Sequence, residues 1–272
     1  MKKKRFAFTL DLEAAVSGVL EREYSLFESP ETIRQLLDLL KEENVKATIF
    51  VVGEIFERYP EIVRLFQEYD CEFQCHSYSH DPACPDSEEE VQKVKTLFVE
   101  YFKHEPLGYR APQGKISEAG IEALTKHGYK FDSSVVPSYY PNPFKYLFKN
   151  RQIHWHKGFD LVEIPLTSIS PFRLTLSISY IKLLGYGVYK ALWTLFRLPP
   201  VIVFCSHLHD FFLSDDEMSK LPPFWKMIYG RNRGRGLELL RRVIVEFKAK
   251  GYEFVPMSEI YGDFVEGAEE NL

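Results

Sequence analysis

The residues able to do chemistry in this 272-residue chain gather at the ends of short apolar runs. His76-Ser-Tyr-Ser-His80 sets two imidazoles four residues apart. A helical turn or tight loop would converge both on one cation, and a carboxylate from another run would complete three ligands with open positions. Two surface histidines in a turn are the plainer reading of the same spacing. Thr9-Leu-Asp11-Leu-Glu13 ends the first run with two carboxylates two apart, which an extended chain points to the same side. One could hold a metal while the other takes a proton; solvated acids ahead of a helix are the alternative, better suited to Glu13 than to Asp11. Arg110-Ala-Pro112 brings a fixed cation suited to keeping a carboxylate ionised and oriented. Asp132 and the pair His207 and His209 close two later runs. These residues form one site only if their runs are neighbouring strands.

The pattern around them requires such neighbours. Strand-like runs alternate with segments of helical period: Arg5–Asp11 then Glu31–Glu43, Ala47–Val52 then Ile55–Glu68, Glu72–His76 then Glu88–Lys103. Further strand-like runs lie at Gly108–Arg110, Lys130–Ser133, Leu161–Leu166, Val201–Cys205 and Tyr252–Val255. Ser29 before Pro30 marks a helix start, Ser87 with Glu90 forms a capping-box pattern, and Gly128 closes the helix begun near Ser117. The alternation predicts a parallel sheet of seven or eight β/α units in one domain spanning residues 1–272, most simply a barrel, whose chemistry sits at the carboxyl ends of its strands. Pro137–Trp155 reads as a long loop, and the acidic end, about 262–272, as a frayed tail.

Composition excludes more than it selects. Apolar residues are 45% and charged residues 27% of the chain, which rules out disorder, collagen-like repeats and a disulfide-stapled mini-fold. A net charge of −5 gives no global reason to bind nucleic acid. Cys71, Cys75, Cys84 and Cys205 are too few and too unevenly spaced for a disulfide framework, and a Cys2His2 zinc site with His76 and His80 would lack the usual loop between its pairs. Asp11 and Glu13 cut the N-terminal apolar run short of the roughly 7–15 residues of a signal peptide. The apolar stretch Leu174–Phe204 is broken by Lys182, Lys190, Arg197 and Pro199-Pro200, so no membrane span is read and a cytoplasmic location is expected. The aromatic share of 15% fits a dense core or a groove that stacks against sugars.

In order, the motifs resemble those of the polysaccharide deacetylase family, the NodB-homology enzymes similar to carbohydrate esterase family 4. The family's Thr-Phe-Asp-Asp is matched by Thr9-Leu10-Asp11 with the second acid displaced to Glu13, and its His-Ser/Thr-x-x-His by His76 to His80. Its Arg-x-Pro is matched at Arg110 to Pro112, its Asp-Ser at Asp132-Ser133, and its late strand-His at Val201 to His207. The resemblance implies an α/β fold, a distorted (β/α)7 barrel of the NodB-homology, glycoside hydrolase-deacetylase type. It implies a metal-dependent hydrolase that removes an N-acetyl or related acyl group from an amino sugar in a poly- or oligosaccharide or lipid-linked glycan. Carried over, Asp11 is the general base, Glu13, His76 and His80 are the metal ligands, Arg110 orients Asp11, and His207, held protonated by Asp132, is the general acid, with His209 its competitor. A backbone N–H near Gln113 would help stabilise the oxyanion. The metal is a divalent ion, zinc first, with Co2+, Mn2+ and Ni2+ as alternatives.

Glu13 departs from the family's usual Asp and is similar to an Asp-x-Asp/Glu branch. Metal-independent relatives resembling allantoinase share that Glu, so a metal-free amide or cyclic-amide hydrolase is the alternative. Lys226, Arg231, Arg233 and Arg235 with Trp225 and Tyr229, together with the apolar Leu174–Leu198 stretch, raise a lipid-linked sugar or a peripheral membrane contact, against a solvated loop before a helix at Gly236–Lys250. His154-Trp-His156 reads as an edge strand, with a second metal pair as the sharper reading. The oligomeric state is left open, homo-oligomer included.

Overall fold

The structure, a computed structural model, describes residues 3–14, 27, 29–138, 147–169 and 171–269. Its axis is β1 (Arg5–Leu12), buried along its whole length as a parallel strand covered on both faces must be. The even residues Phe6, Phe8, Leu10 and Leu12 belong to the larger apolar cluster, while Ala7 belongs to a second one with Phe50, Phe131, Val162 and Val203. One face of the strand therefore meets helices and the other lines an interior.

On one side of β1 follow β2 (Ala47–Val51), β3 (Glu72–Cys75), β4 (Gly108–Tyr109), β5 (Phe131–Asp132) and β7 (Val162–Glu163), and on the other β10 (Val201–His207), all parallel. β6 (His154–Trp155) runs antiparallel on the β7 edge, and β11 (Glu253–Phe254) pairs with the first two residues of β1. The ladder curls as half of a barrel. Between β7 and β10, Thr167 reaches across: its N–H donates to the Val203 carbonyl at 3.1 Å and its hydroxyl accepts the Val203 N–H at 2.9 Å.

Helices α1 (Pro30–Glu42), α2 (Gly53–Arg58), α3 (Pro60–Gln67), α4 (Glu88–Phe102) and α5 (Glu118–Lys126) connect the first five strands. Pro30 at the first turn of α1 and Ser87 capping α4, its hydroxyl accepting the Glu90 N–H at 3.3 Å, match the boundaries read from sequence. Gly108 in β4 is required by its register partner Phe131, because a Cβ there would lie 2.1 Å from the Phe131 ring. After the hairpin β8 (Ser168–Ile169) and β9 (Leu174–Thr175), the apolar stretch forms α6 (Ile178–Leu184) and α7 (Tyr186–Leu195), with Tyr189 and Trp193 in the core. Part of the aromatic excess is thus core packing. α8 (Asp215–Lys220), α9 (Pro223–Gly230) and α10 (Gly236–Ala249) complete the helical layer. No helix among the described residues is long and apolar enough to cross a membrane.

Two expectations change. The acidic end does not fray at residue 262: α11 (Met257–Glu269) is helical, and buried Arg5 at the foot of β1 anchors it through Asp263 at 2.7 Å and Glu259 at 2.8 Å. Of the long loop expected at Pro137–Trp155, residues 139–146 lie outside the described residues, and its end is β6.

Candidate active site

Alternation along β1 carries Thr9 and Asp11 to the interior face, and parallel register sets Asp11 beside His207 of β10. Asp11 is divided among three partners. Its Oδ1 accepts from Arg110 Nη1 at 2.6 Å, while Oδ2 faces His207 Nε2 at 3.6 Å and accepts from the Cys205 thiol at 3.7 Å. Arg110 is locked in turn, donating to Thr9 Oγ1 at 2.9 Å and to the Ser133 carbonyl and hydroxyl at 3.1 Å each. Burial by itself would raise the Asp11 carboxyl, but Arg110, His76 and His207 outweigh it and hold it below the ordinary range.

Glu13, His76 and His80 present donor atoms that all lie within 4.8 Å of one another. Glu13 Oε2 meets His80 Nε2 at 2.6 Å. His76 Nδ1 donates to the Arg110 carbonyl at 2.7 Å, which leaves its Nε2 as a bare lone pair. Burial pushes His76 down to about 4, so the ring is neutral at ordinary pH. An acid, two imidazoles and a fixed tautomer fit a divalent cation. The turn between the histidines is built with Ser77 and His80 at φ of 57° and 60°, an uncommon conformation for non-glycine residues. Glu90 compensates: its buried carboxylate accepts from the amides of Tyr78 at 2.9 Å and Ser79 at 2.8 Å and from the Ser79 hydroxyl at 2.9 Å. Glu90 thus spends its carboxylate on the histidine turn and not on the Ser87 N–H, which goes to the Cys84 carbonyl at 3.3 Å, so the capping box read from sequence is only half made.

His207 and His209 stack at 4.7 Å between ring centroids, yet their environments oppose each other. Burial would lower His207, but hydrogen bonding to Asp210 and the charges of Glu13 and Asp11 lift it to about 9. His209 is deeper, lodged against Tyr229, and burial together with His207 pushes it down to about 4. The expectation that Asp132 holds His207 protonated is corrected: the carboxylate at His207 is Asp210, at 3.4 Å from Nδ1 and 2.9 Å from the backbone N–H. Asp132 instead faces Glu163 and His156. Its strand register explains this, since β5 pairs Asp132 with Glu163 of β7 and lies five strands from β10 along the sheet.

Of the basic-aromatic cluster, Arg233 pairs with Asp215 and Arg235 with Glu238, and Trp225 stacks on Tyr229. The solvated loop expected here is confined to the turn that carries Arg231, Arg233 and Arg235, because Trp225, Lys226 and Tyr229 lie in α9. Three residues of the site escaped the sequence reading. Asp210 was visible three positions after His207, Glu90 was seen only as a cap, and Glu163 stood as one acid within an apolar run.

Residues 2–131 match the family model described as polysaccharide deacetylase. A peptidoglycan deacetylase of Helicobacter pylori is 31% identical over 115 residues, 41% of this chain and 39% of that protein. The chain therefore spans about two fifths of that relative's length. Among solved structures, an inferred polysaccharide deacetylase from Mycobacterium smegmatis superposes with a TM-score of 0.62 at 20% identity, over 96% of this chain and 90% of that one. An allantoinase superposes equally well, with a TM-score of 0.62 at 15% identity over 96% and 89%, so the fold alone does not choose the reaction. The fold is the NodB-type distorted (β/α)7 barrel, and over residues 2–131, just under half of its length, the chain is similar to the polysaccharide deacetylase family.

Proposed function

We propose that this protein hydrolyses the N-acetyl group of an amino sugar in a polysaccharide of the peptidoglycan kind, using a divalent cation held by Glu13, His76 and His80. The observation that carries this reading is the pairing of that three-ligand cluster with Asp11, a carboxylate whose one oxygen is clamped by Arg110 and whose other is turned toward His207. When bound, the cation supplies Lewis acidity, polarising the acyl carbonyl and acidifying the attacking water.

The chain's own groups do the rest. Asp11 stays ionised and directs Oδ2 to take the proton of the attacking water. Arg110 keeps that carboxylate from rotating. In the turn after β4, the amides of Gly114 and Lys115 are committed to the carbonyls of Ala111 and Pro112, so the N–H of Gln113 is the donor assigned to the developing oxyanion. His207, protonated at neutral pH and partly open to solvent, hands its Nε2 proton to the leaving amine. His209 is enclosed and held toward its neutral form, which supports His207 over it as that acid.

The test is metal analysis and turnover on N-acetylated peptidoglycan fragments. His76→Ala and His80→Ala should lose both cation and activity, and Asp11→Asn should lose activity with the cation retained. Full activity in Asp11→Asn, or activity indifferent to exhaustive chelation, overturns the reading.

A further inference from the structure

A second group of donors lies at the far end of the sheet. Asp132 ends β5, Glu163 ends β7, and His156 follows β6, so three adjacent strands deliver one side chain each to a common point. Neither carboxyl group is exposed to solvent. Each has one oxygen spoken for: Asp132 Oδ1 accepts from the Ser134 hydroxyl, and Glu163 Oε1 accepts from the Val135 amide at 3.0 Å. The remaining oxygens, Asp132 Oδ2 and Glu163 Oε2, and the ring nitrogen His156 Nε2 are buried without a hydrogen-bond partner among the described residues. They are aimed at one another, Nε2 lying 3.9 Å from Asp132 Oδ2 and 3.4 Å from Glu163 Oε2, and all three atoms lie within 4.8 Å.

We propose that Asp132, His156 and Glu163 form a second divalent-cation site, separate from the Glu13–His76–His80 cluster and structural in role. Two buried carboxylate oxygens so close repel unless a proton or a cation stands between them. One shared proton joins only two of the three unpartnered atoms, whereas one cation satisfies all three. Donors about 2.1 Å from a tetrahedral zinc ion are separated by about 3.4 Å, close to the spacing found. The donor set, one nitrogen and two carboxylate oxygens, suits zinc or another first-row ion, and the partly exposed edge of His156 leaves an approach from solvent. His154, two residues earlier, is not part of the set: the donor atoms that lie within 4.8 Å of one another here are those of Asp132, His156 and Glu163.

The site has a mechanical consequence. Ser133 lies between Asp132 and Ser134 and accepts two hydrogen bonds from Arg110. A cation fixing Asp132 would therefore fix the strand end that positions Arg110.

The experiment uses the full chain carrying His76→Ala and His80→Ala, so that the first cluster is disabled and the outcome does not depend on the deacetylase reading. After loading with Zn2+ and removal of excess, elemental analysis should find about one equivalent of zinc, and adding His156→Ala should abolish it. In parallel, the melting temperature of the His76→Ala/His80→Ala protein should fall on chelation and recover with Zn2+. This second measurement needs no change at the proposed site itself. Absence of zinc from the folded double variant, zinc retained undiminished after His156→Ala, or a melting temperature indifferent to chelation would each overturn the proposal and leave a proton-sharing acid pair in its place.

Discussion

Asp11 and His207 are register partners on adjacent parallel strands, and their Oδ2 and Nε2 atoms stand 3.6 Å apart with opposite charges at neutral pH. In the proposed mechanism base and acid thus hold each other in their working protonation states until a substrate separates them. Parallel pairing makes this arrangement: residue 11 of one strand and residue 207 of the other share a level and an interior face.

Asp210 sets the upper end of that range. With His207 at about 9 and the ordinary imidazole near 6.5, the folded protein binds the extra proton between those values. The contribution of His207 to stability is therefore complete below about 6.5 and is lost as pH rises through about 9. In Asp210→Asn the alkaline limb of kcat should move down from about 9 toward neutrality. An unmoved limb would show that His207 is not the titrating acid.

Arg110 and Asp11 should show the asymmetry of a buried pair. Arg110→Met leaves an uncompensated carboxylate and should lower stability by about 3–5 kcal/mol in chemical denaturation. Adding Asp11→Asn should restore much of the loss, with turnover abolished in both. A double variant no more stable than the single one would mean that Arg110 acts through its bonds to Ser133 and Thr9 instead.

Glu90 should act through metal affinity. Replacing it with Ala frees the amides of Tyr78 and Ser79, and competition with a chromophoric chelator should show affinity roughly 10–100-fold weaker, with kcat at saturating metal largely preserved. Equal affinity in the two proteins would remove Glu90 from the site.

Gly108→Ala should push the Phe131 ring and cost about 1–3 kcal/mol, read as a lower melting temperature. Phe131→Leu in the same chain should recover part of it by shortening the obstructing side chain.

What was legible in the sequence and what was not divide along the range of the interactions involved. The cluster of Glu13, His76 and His80 was readable because its members sit on local patterns, a strand end and a four-residue turn. The β/α order was readable because β1 and β10 are long apolar runs and even β4, β5 and β7, two residues each, lie inside shorter strand-like runs, whereas the two-residue strands β8 and β9 pair only with each other and left no such signal. The partner of His207 was misassigned to Asp132 because motif order says nothing of which strands adjoin. Likewise the helix in the acidic end depends on Arg5, more than 250 positions away in the chain, and no local periodicity reports that ion pair.

β1 also acts as a gauge. Its interior-facing residues run from Arg5, which grips the closing helix, through Ala7 and Thr9 to Asp11, all at odd positions. Inserting or deleting one residue within the strand would turn its downstream interior residues outward, exchanging polar groups for Phe or Leu. The Asp11 cluster and tertiary closure are therefore phased by the same alternation, and a chain that mispairs this strand forfeits its anchor to the last helix together with the placement of Asp11.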